Sequence, residues 1–438
     1  MHHKSPGRIK QQMTAQATDY TMVLPVRHHR LNETQVAVES AFAEHLRMLR
    51  LRIGTAAERL VIASPGMSAT SYEAGKRGYA VIDEASEKIH FQTLFGEDQA
   101  QSTGAKIKLL PAIMRSLHSL AKSSFCVHSG LSWDVWLPFE FASIAFGIFL
   151  RRRTVFVVDI DYRNSAYMSY RNGDWSRKSY LLCKYVYDKA RSMQVWVAAR
   201  YCSLVLLKGR KMAEDFGSGR PNVKAFLDAS HSGKNIIPEE GLEEKLRAVR
   251  DTQNSLRLVY FGRLTAYKGI DRCLRAAAGA RAAGANIMLD IIGGGEQADS
   301  LRDLAHELDA EKWATFHGAL PFNQDFFALL YSFHLLLAAP LREDTPRSAL
   351  DAMAAGIPYL AFDTYYYREL LESGAGRVVP WPEVDAMMRM LVHLEKNREE
   401  VANMVASSVA FARLNTQEIW LERREAWTMA SAIGDSDR

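Results

Sequence analysis

The stretch 256–269, LRLVYFGRLTAYKG, contains a complete strand, a turn and the start of a helix. Its first part, Leu256–Phe261, is mostly apolar and predicts a buried strand. Gly262 permits a tight turn directly after that strand, and Gly269 permits a helix to begin close to a ligand. A helix is predicted over Lys268–Ala283, because apolar residues recur along one of its faces. This order is typical of one βα unit of a parallel sheet.

The same alternation continues on both sides of this unit. Towards the C-terminus, strands are predicted at Asn286–Ile292, Ala314–His317, His334–Ala338 and Pro358–Phe362. Towards the N-terminus, they are predicted at Thr21–Val26, Arg59–Ala63, Ile89–Leu94, Phe125–His128, Thr154–Ile160 and Ser203–Leu207, with helices at Val36–Leu49 and Pro111–Ala121. The polar stretch Ser230–Gly241, which contains Gly and Pro, separates the two series and predicts a linker.

We therefore expect an α/β protein with two Rossmann-like doubly wound domains facing each other across a cleft. The predicted domains are 1–240 and 241–410, followed by a helical segment, 411–438, that could pack back on the N-terminal domain. Ligands of open parallel sheets bind beyond the carboxyl ends of the strands, so the expected site is the cleft.

Composition and charge exclude several classes of protein. The 438 residues are 48% hydrophobic and 24% charged, values typical of a soluble globular protein rather than a disordered or fibrous one. The net charge of +5 hides an asymmetry, since residues 1–240 carry 33 basic and 22 acidic side chains (+11) and the remainder 22 and 28 (−6). Four scattered cysteines without a CxxC pair argue against a disulfide framework or a zinc site.

The chain shows no signal peptide at its polar N-terminus, so a cytoplasmic location is expected. The apolar stretch Val135–Leu150 is shorter than the ~20 residues of a membrane span and contains Pro138 and Glu140. A buried crossover helix is the favoured interpretation. The alternative is a helix that dips into a membrane interface, with Arg151–Arg153 at the headgroups.

Two basic residues border the turn after Leu256–Phe261. Arg263 and Lys268 lie five positions apart above the start of a helix, where two cations could bind a diphosphate and stabilise its charge as a leaving group. The alternative is a pair of solvated surface cations. The run Gly293-Gly294-Gly295 after the next strand would let a phosphate approach, although glycines also occur in such turns for geometry alone.

A third motif, PLREDTPRSALDAMAAGIP at 340–358, follows a predicted strand. Glu343 is expected to reach the centre of the cleft, and Asp351 lies one turn into the following helix. The backbone N–H groups of Thr345, Arg347 and Ser348 could hold phosphate oxygens. For Asp351, a simple charge near a helix N-terminus is the alternative interpretation.

The order of these motifs, together with IIGGGE, FHGAL and AMAAGIP, resembles the C-terminal half of family 4 of the retaining glycosyltransferases, which have the GT-B architecture. The resemblance covers roughly 256–379 well and the N-terminal half more weakly. It implies that Arg263 and Lys268 bind the donor diphosphate, that Glu343 contacts the donor sugar and that Asp351 contacts the ribose. It also implies that Gly262, Gly294 and Gly295 lie beside the nucleotide.

The sequence departs from that pattern in two places. The second acid is Asp351 rather than Glu, and the loop after the first strand lacks the usual glycine pair, with Arg30 and its neighbours there instead. The acceptor side is assigned to Asp159, Asp161, His128 and Arg30. Asp159 and Asp161 could hold a divalent metal, but Arg263 and Lys268 already supply positive charge, so no metal or other cofactor is expected to be required.

We therefore expect a retaining enzyme that moves a hexose-type sugar from a nucleoside diphosphate sugar to a glycan or lipid-linked hydroxyl in surface polysaccharide synthesis. A nucleotide-sugar epimerase and a non-catalytic scaffold of the same shape are the alternatives. Basic residues interleaved with tyrosines over 162–189 favour peripheral contact with an anionic membrane at its inner face. No nucleic-acid-binding module is recognisable.

Overall fold

The computed structural model describes residues 17–433. These residues form sixteen strands: β1 Asp19–Val23, β2 His29–Arg30, β3 Gln35–Glu39, β4 Leu60–Gly66, β5 Tyr79–Asp83, β6 Ile89–Gly96, β7 Ser124–Gly130, β8 Arg153–Val158, β9 Leu204–Lys208, β10 Val223–Phe226, β11 Leu256–Phe261, β12 Ile287–Ile292, β13 Ala314–Gly318, β14 Leu335–Ala338, β15 Tyr359–Phe362 and β16 Gly376–Val379.

The same residues form eighteen α-helices: α1 Ser40–Ile53, α2 Ala69–Gly75, α3 Glu84–Glu87, α4 Thr103–Ser123, α5 Phe139–Phe149, α6 Ser165–Arg171, α7 Arg177–Leu182, α8 Asp188–Tyr201, α9 Arg210–Gly217, α10 Glu239–Arg250, α11 Ile270–Ala282, α12 Ala298–Glu307, α13 Gln324–Leu330, α14 Arg347–Ala354, α15 Tyr365–Leu370, α16 Val384–Lys396, α17 Arg398–Arg413 and α18 Gln417–Ile433. A π-helical segment, Cys183–Tyr187, joins α7 to α8.

Two parallel sheets carry the fold. The N-terminal sheet has the order β10-β9-β8-β7-β1-β4-β6, and the C-terminal sheet has the order β13-β12-β11-β14-β15-β16. Within each sheet the neighbouring strands pair in parallel, for example β11 with β12 and β7 with β8. The predicted pair of doubly wound α/β domains is thereby confirmed.

The side chains of β11 alternate between two cores. Leu256, Leu258 and Tyr260 join the apolar cluster on one face of the C-terminal sheet. Val259 and Phe261 join the cluster on the other face. Both faces are covered by helices, which is why the strand is almost continuously apolar. The carboxyl ends of the strands then remain as the edge where polar loops gather.

The predicted helix Val36–Leu49 was wrong in its first part. Residues Gln35–Glu39 form β3, which pairs antiparallel with β5 in a small separate sheet, and α1 begins only at Ser40. The buried side chains of Val36, Ala37 and Val38 fit a pleated strand. The apolar spacing that continues into α1 made the two elements look like one helix.

The apolar stretch near residue 140 forms α5, which packs against β7 and β8 as a crossover helix. Phe139 and Ile144 are buried, whereas Phe149 at its end is 79% exposed. Within residues 17–433, none of the helices has the length and apolarity needed to traverse a lipid bilayer.

The chain crosses between the two domains twice. After α17 it returns to the N-terminal domain, where α18 packs against β8 and β9, and Trp420 and Trp427 lie against the N-terminal core. An ion pair of 3.3 Å joins Arg52 Nε of α1 to Glu425 Oε2 of α18. The two crossings touch, because the backbone N–H of Gln417 donates to the carbonyl oxygen of His231 at 2.9 Å.

Candidate active site

Close contacts between glycine loops shape the edge of the C-terminal sheet that faces the N-terminal domain. A Cβ added at Gly269 would lie 2.0 Å from the carbonyl oxygen of Ala339, and one at Gly293 would lie 1.9 Å from that of Gly262. Gly269 also has a φ of +65°, a left-handed conformation that favours glycine. The loops after β11, β12 and β14 therefore approach each other closely only because these positions carry no side chain.

The two predicted diphosphate-binding cations differ in their surroundings. Lys268 Nζ forms an ion pair with Asp344, and both side chains are about one-fifth exposed. Arg263 is exposed, and its guanidinium lies 3.4 Å from the hydroxyl of Tyr267. The hydroxyl of Tyr260 donates to the carbonyl oxygen of Arg263 at 2.9 Å and so holds the loop between the two cations.

The loop after β11 meets the start of α14. A cavity of about 20 Å³ is lined by Lys268, Asp344, Thr345 and Ser348, among others. The hydroxyl of Ser348 lies 3.4 Å from the position that a Cβ on Gly262 would occupy. The backbone carbonyl of Gly294 accepts from the N–H of Leu264 at 3.0 Å, and Gly295 lies next to it. The structure thus brings Lys268, Thr345 and Ser348 together around one small space, whereas Gly294 and Gly295 lie beside the loop after β11 and do not line it.

Glu343 lies at the contact between the two domains and is only 5% exposed. Its Oε1 accepts a hydrogen bond of 3.0 Å from Asn164 Nδ2 of the N-terminal domain. The N–H of Tyr365, at the start of α15, lies 3.2 and 3.1 Å from the two carboxyl oxygens. Burial raises the pKa of Glu343 to about 7, against the lowering effect of those hydrogen bonds. A carboxyl group that titrates near neutral pH at a domain contact is a candidate functional group.

Asp351 lies away from the cleft centre, buried against the linker. Its Oδ1 accepts from the backbone N–H groups of Ser230 and His231, both at 2.8 Å, and lies 3.2 Å from Nδ1 of His231. The structure therefore places this carboxylate where it holds the first interdomain crossing. Its contact with a ribose stays a prediction.

Arg347 belongs to a chain of charges across the interface. Its guanidinium pairs with Asp228, which also accepts from Lys208 Nζ at 3.0 Å. Burial raises the pKa of Asp228, but Lys208 and Arg347 together lower it by more. A phosphate near the N-terminus of α14 would compete with Asp228 for Arg347.

The predicted acceptor residues do not form one cluster. Asp159 is exposed and lines a cavity of about 320 Å³ together with His128. His128 Nδ1 lies 2.8 Å from the hydroxyl of Tyr20, and burial lowers the pKa of this imidazole to about 3. Asp161 is buried, and Arg163 binds both of its carboxyl oxygens, at 2.8 and 2.5 Å.

Arg30 is not brought to the cleft. Its guanidinium donates to Glu84 at 2.9 and 3.2 Å and to the carbonyl oxygen of Phe91 at 2.9 Å. It borders a cavity with Asp19 and Arg59, which mark the amino ends of β1 and β4 rather than their carboxyl ends. Across residues 17–433, no group of three or more His, Cys, Asp or Glu side chains is placed to hold a metal ion.

Sequence reasoning missed the residues that join the domains. The carboxylate of Glu369 accepts from the N–H groups of Arg210 and Lys211 at the start of α9, at 2.6 and 3.5 Å. The hydroxyl of Tyr366 accepts from the N–H of Asp161 at 2.7 Å. These pairs and Asn164–Glu343 link residues more than 150 positions apart, so no local motif could have found them. The sole signal was the position of Asn164 just after a predicted strand.

Several known proteins share this architecture. Residues 243–408 match the family model described as Glycosyl transferases group 1. No curated protein matches the sequence. The crystal structure of Anabaena Alr3699/HepE in complex with UDP matches with a TM-score of 0.58 at 14% identity, over 94% of this chain and 100% of that one.

Two further structures are similar over the same length. WaaG, described as a glycosyltransferase involved in lipopolysaccharide biosynthesis, matches with a TM-score of 0.57 at 13% identity, over 93% of this chain and 99% of that one. Sucrose-phosphate synthase from Thermosynechococcus elongatus matches with a TM-score of 0.56 at 14% identity, over 94% and 99%. The chain therefore has the GT-B fold, and its C-terminal domain matches the group 1 glycosyl transferases.

Proposed function

We propose that this protein is a retaining glycosyltransferase of family 4, which moves a hexose from a nucleoside diphosphate sugar to a hydroxyl of a glycan or lipid-linked acceptor. The observation that carries this proposal is the position of Glu343, buried between the domains and hydrogen-bonded to Asn164. The glycine loops with Lys268 and Arg263 follow neighbouring strands of the same sheet. The UDP bound in the similar HepE structure supports a nucleotide donor.

In the proposed reaction, the C-terminal domain holds the donor. Lys268 and Arg263 bind the diphosphate and stabilise the negative charge that grows on it as the bond to the sugar breaks. Glu343 contacts the donor sugar. The acceptor hydroxyl attacks on the face that the diphosphate leaves, and its proton passes to the leaving group, so that the anomeric configuration is kept. No resident metal or organic cofactor enters this scheme.

The donor assignment predicts a specific effect of Lys268→Ala. We expect the UDP-, GDP- or ADP-sugar that raises the melting temperature of the wild type to lose most of that effect in the variant, because a cation at the diphosphate is gone. A thermal-shift panel of these donors measures it. Lys312→Ala, which removes an exposed lysine on the same domain, is the matched control. The assignment of Arg263 and Lys268 fails if no donor stabilises the wild type.

Assays with the same donors distinguish a glycosyltransferase from an epimerase and from a non-catalytic scaffold. Release of nucleoside diphosphate, lost in Lys268→Ala and Glu343→Ala, supports a glycosyltransferase. Conversion of the donor to another sugar without release supports an epimerase. The absence of donor binding supports a non-catalytic scaffold. Nuclear magnetic resonance of the anomeric proton in the product then tests whether the configuration is retained.

We also propose that the protein acts in surface polysaccharide synthesis at the cytoplasmic face of an anionic membrane. The helices α7 and α8 and the segment between them carry exposed apolar side chains interspersed with exposed lysines. We call these residues the apolar–basic face. They are Leu181, Leu182, Tyr185, Val186, Met193 and Trp196 with Lys178, Lys184 and Lys189. Such a combination suits the headgroup region of an anionic bilayer.

Charge reversal tests the membrane proposal. Lys178→Glu with Lys189→Glu should weaken binding to liposomes that contain anionic lipid by at least about tenfold, since each cation near such a surface contributes about 1 kcal/mol. Both lysines belong to the apolar–basic face and are exposed. The control is Arg275→Glu with Lys312→Glu, which makes the same charge change on the C-terminal domain. Equal liposome binding by both double variants would contradict the proposed contact with an anionic membrane.

A further inference from the structure

A cavity of about 630 Å³ lies at the boundary between the domains, and residues of both domains line it. The segment α6–α8 forms most of it, and Arg342 of the C-terminal domain closes one side. Four aromatic side chains and two arginines contribute to its lining: Trp133, Tyr162, Trp175, Tyr187, Arg191 and Arg342. Arg342 directly precedes Glu343, and Ser165 in the lining directly follows Asn164. The cavity is therefore lined by the chain neighbours of Asn164 and Glu343, the hydrogen-bonded pair that joins the domains.

Both arginines of this cavity have an unused hydrogen-bond donor. Among the described residues, three buried side-chain atoms lack a hydrogen-bond partner: Arg191 Nε, Arg342 Nε and Thr265 Oγ1. Two of the three belong to this cavity. Arg191 donates through Nη1 to Asp188 at 3.0 Å, and Arg342 donates through Nη2 to Asp174 at 3.2 Å. Each guanidinium thus pairs with one carboxylate, while its buried Nε–H has no acceptor.

The rest of the lining combines aromatic and apolar side chains with four serines and Asp174, and it continues to the outside. Arg191 lies over the ring of Trp133, with the guanidinium carbon 4.8 Å from the ring centroid, so this ring is held in place. Leu182 lines the cavity and is also 48% exposed. It is therefore shared between the cavity and the apolar–basic face. An occupant could leave the cavity along Leu182 without losing contact with apolar side chains.

We propose that this cavity binds the acceptor, and that the acceptor is an amphiphile whose phosphate is bound by Arg191 and Arg342 and whose hydrocarbon chain passes Leu182 towards the apolar–basic face. This inference rests on the proposed glycosyltransferase function and names its acceptor class. The saccharide part of such an acceptor extends from the phosphate towards Asn164 and Glu343. One acceptor molecule then contacts both the domain boundary and the apolar–basic face.

The chemistry of the lining favours a lipid phosphate over simpler ligands. A neutral saccharide offers the two Nε–H groups without a partner only hydroxyl oxygens, which are weaker acceptors than a phosphate. An inorganic phosphate leaves the indole and phenol rings without contact, although burial of apolar surface is a main source of affinity in such cavities. A phosphate joined to a hydrocarbon chain satisfies both parts of the site at once.

The test is titration calorimetry of the full chain with decyl phosphate, kept below its micelle concentration. We expect decyl phosphate to bind, and inorganic phosphate and neutral decyl maltoside to bind at least about tenfold more weakly. Arg191→Met and Arg342→Met should each weaken decyl phosphate at least about tenfold. Arg191→Lys should restore part of the affinity. Trp175→Ala, which removes a half-buried ring and leaves both arginines in place, should also weaken the binding of decyl phosphate.

Arg200→Met is the matched control on the same helix, because Arg200 is stacked over Trp196 at 3.8 Å and does not line the cavity. The inference is overturned if decyl phosphate binds the wild type, Arg191→Met and Arg342→Met equally, or if decyl maltoside binds as tightly. UDP-sugar binding, measured on the same samples, reports the proposed function separately. Intact donor binding with no response to decyl phosphate would reject the acceptor site alone.

Discussion

Replacing Glu343 with glutamine is expected to lower the rate of sugar transfer by about 10²- to 10³-fold, with the fold intact. Glutamine has the same shape and can still accept from Asn164 and from the N–H of Tyr365, the two contacts that hold the side chain at the domain boundary. It cannot supply a negative charge to the donor sugar. Nucleoside diphosphate release at saturating donor and acceptor measures the loss, and Glu307→Gln, at an exposed position of α12, is the control.

The same variant has a defined effect on stability. The pKa of Glu343 is about 7 in the folded protein against an ordinary 4.5, so between these values the folded state holds a proton that the unfolded state releases. The contribution of Glu343 to the free energy of unfolding therefore falls as pH rises from 4.5 to 7 and is constant above. Glu343→Gln removes this fall. Denaturation at pH 5 and pH 8 measures the free energy of unfolding of both proteins. The variant should be more stable relative to the wild type at pH 8 than at pH 5. An equal change in both proteins between the two pH values would contradict the buried position of the carboxyl group.

Gly269→Ala is expected to destabilise the C-terminal domain by about 4 kcal/mol or more. The added Cβ would lie 2.0 Å from the carbonyl oxygen of Ala339, and the φ of +65° is unfavourable for alanine. Relief requires the loop after β11 to move away from the end of β14, which separates Lys268 from Asp344. We therefore expect loss of donor binding together with loss of stability.

Gly284→Ala is the control for backbone strain alone. Gly284 has a φ of +90°, but no atom lies within 4 Å of the position of its Cβ. Its replacement should cost only about 1–2 kcal/mol. Urea denaturation of both variants measures the difference. Equal losses would mean that conformation, rather than the close contact with Ala339, decides the need for glycine at 269.

The C-terminal domain was more predictable from the sequence than the N-terminal one. The strand predicted at Leu256–Phe261 is β11 with the same limits, because a strand buried on both faces has a clear beginning and end in its apolar run. The strand Gln35–Glu39 was missed, since its pairing with Tyr79–Asp83 depends on a partner some 40 residues away. Local periodicity carries no information about such a partner.

The candidate site was also only partly predictable from the sequence. The turn with Gly262 and the helix start near Ser348 follow from strand and helix signals, and these residues do lie together. The spacing of Glu343 and Asp351 predicts where they stand on α14 and the loop before it, but not what faces them. Glu343 meets Asn164 of the other domain, and Asp351 meets the linker at Ser230 and His231. Which groups stand opposite is decided by tertiary packing alone.

The return of α18 to the N-terminal domain makes the C-terminal domain an insertion within it. Any change in the angle between the domains must bend the chain at both crossings, near His231 and near Gln417, and these two points are hydrogen-bonded to each other. The imidazole Nε2 of His231 also lies 3.2 Å from the carbonyl oxygen of Ala412 at the end of α17. The two crossings therefore form one connected strip of chain between the domains, and Asp351, which binds the backbone of one of them, ties α14 to that strip.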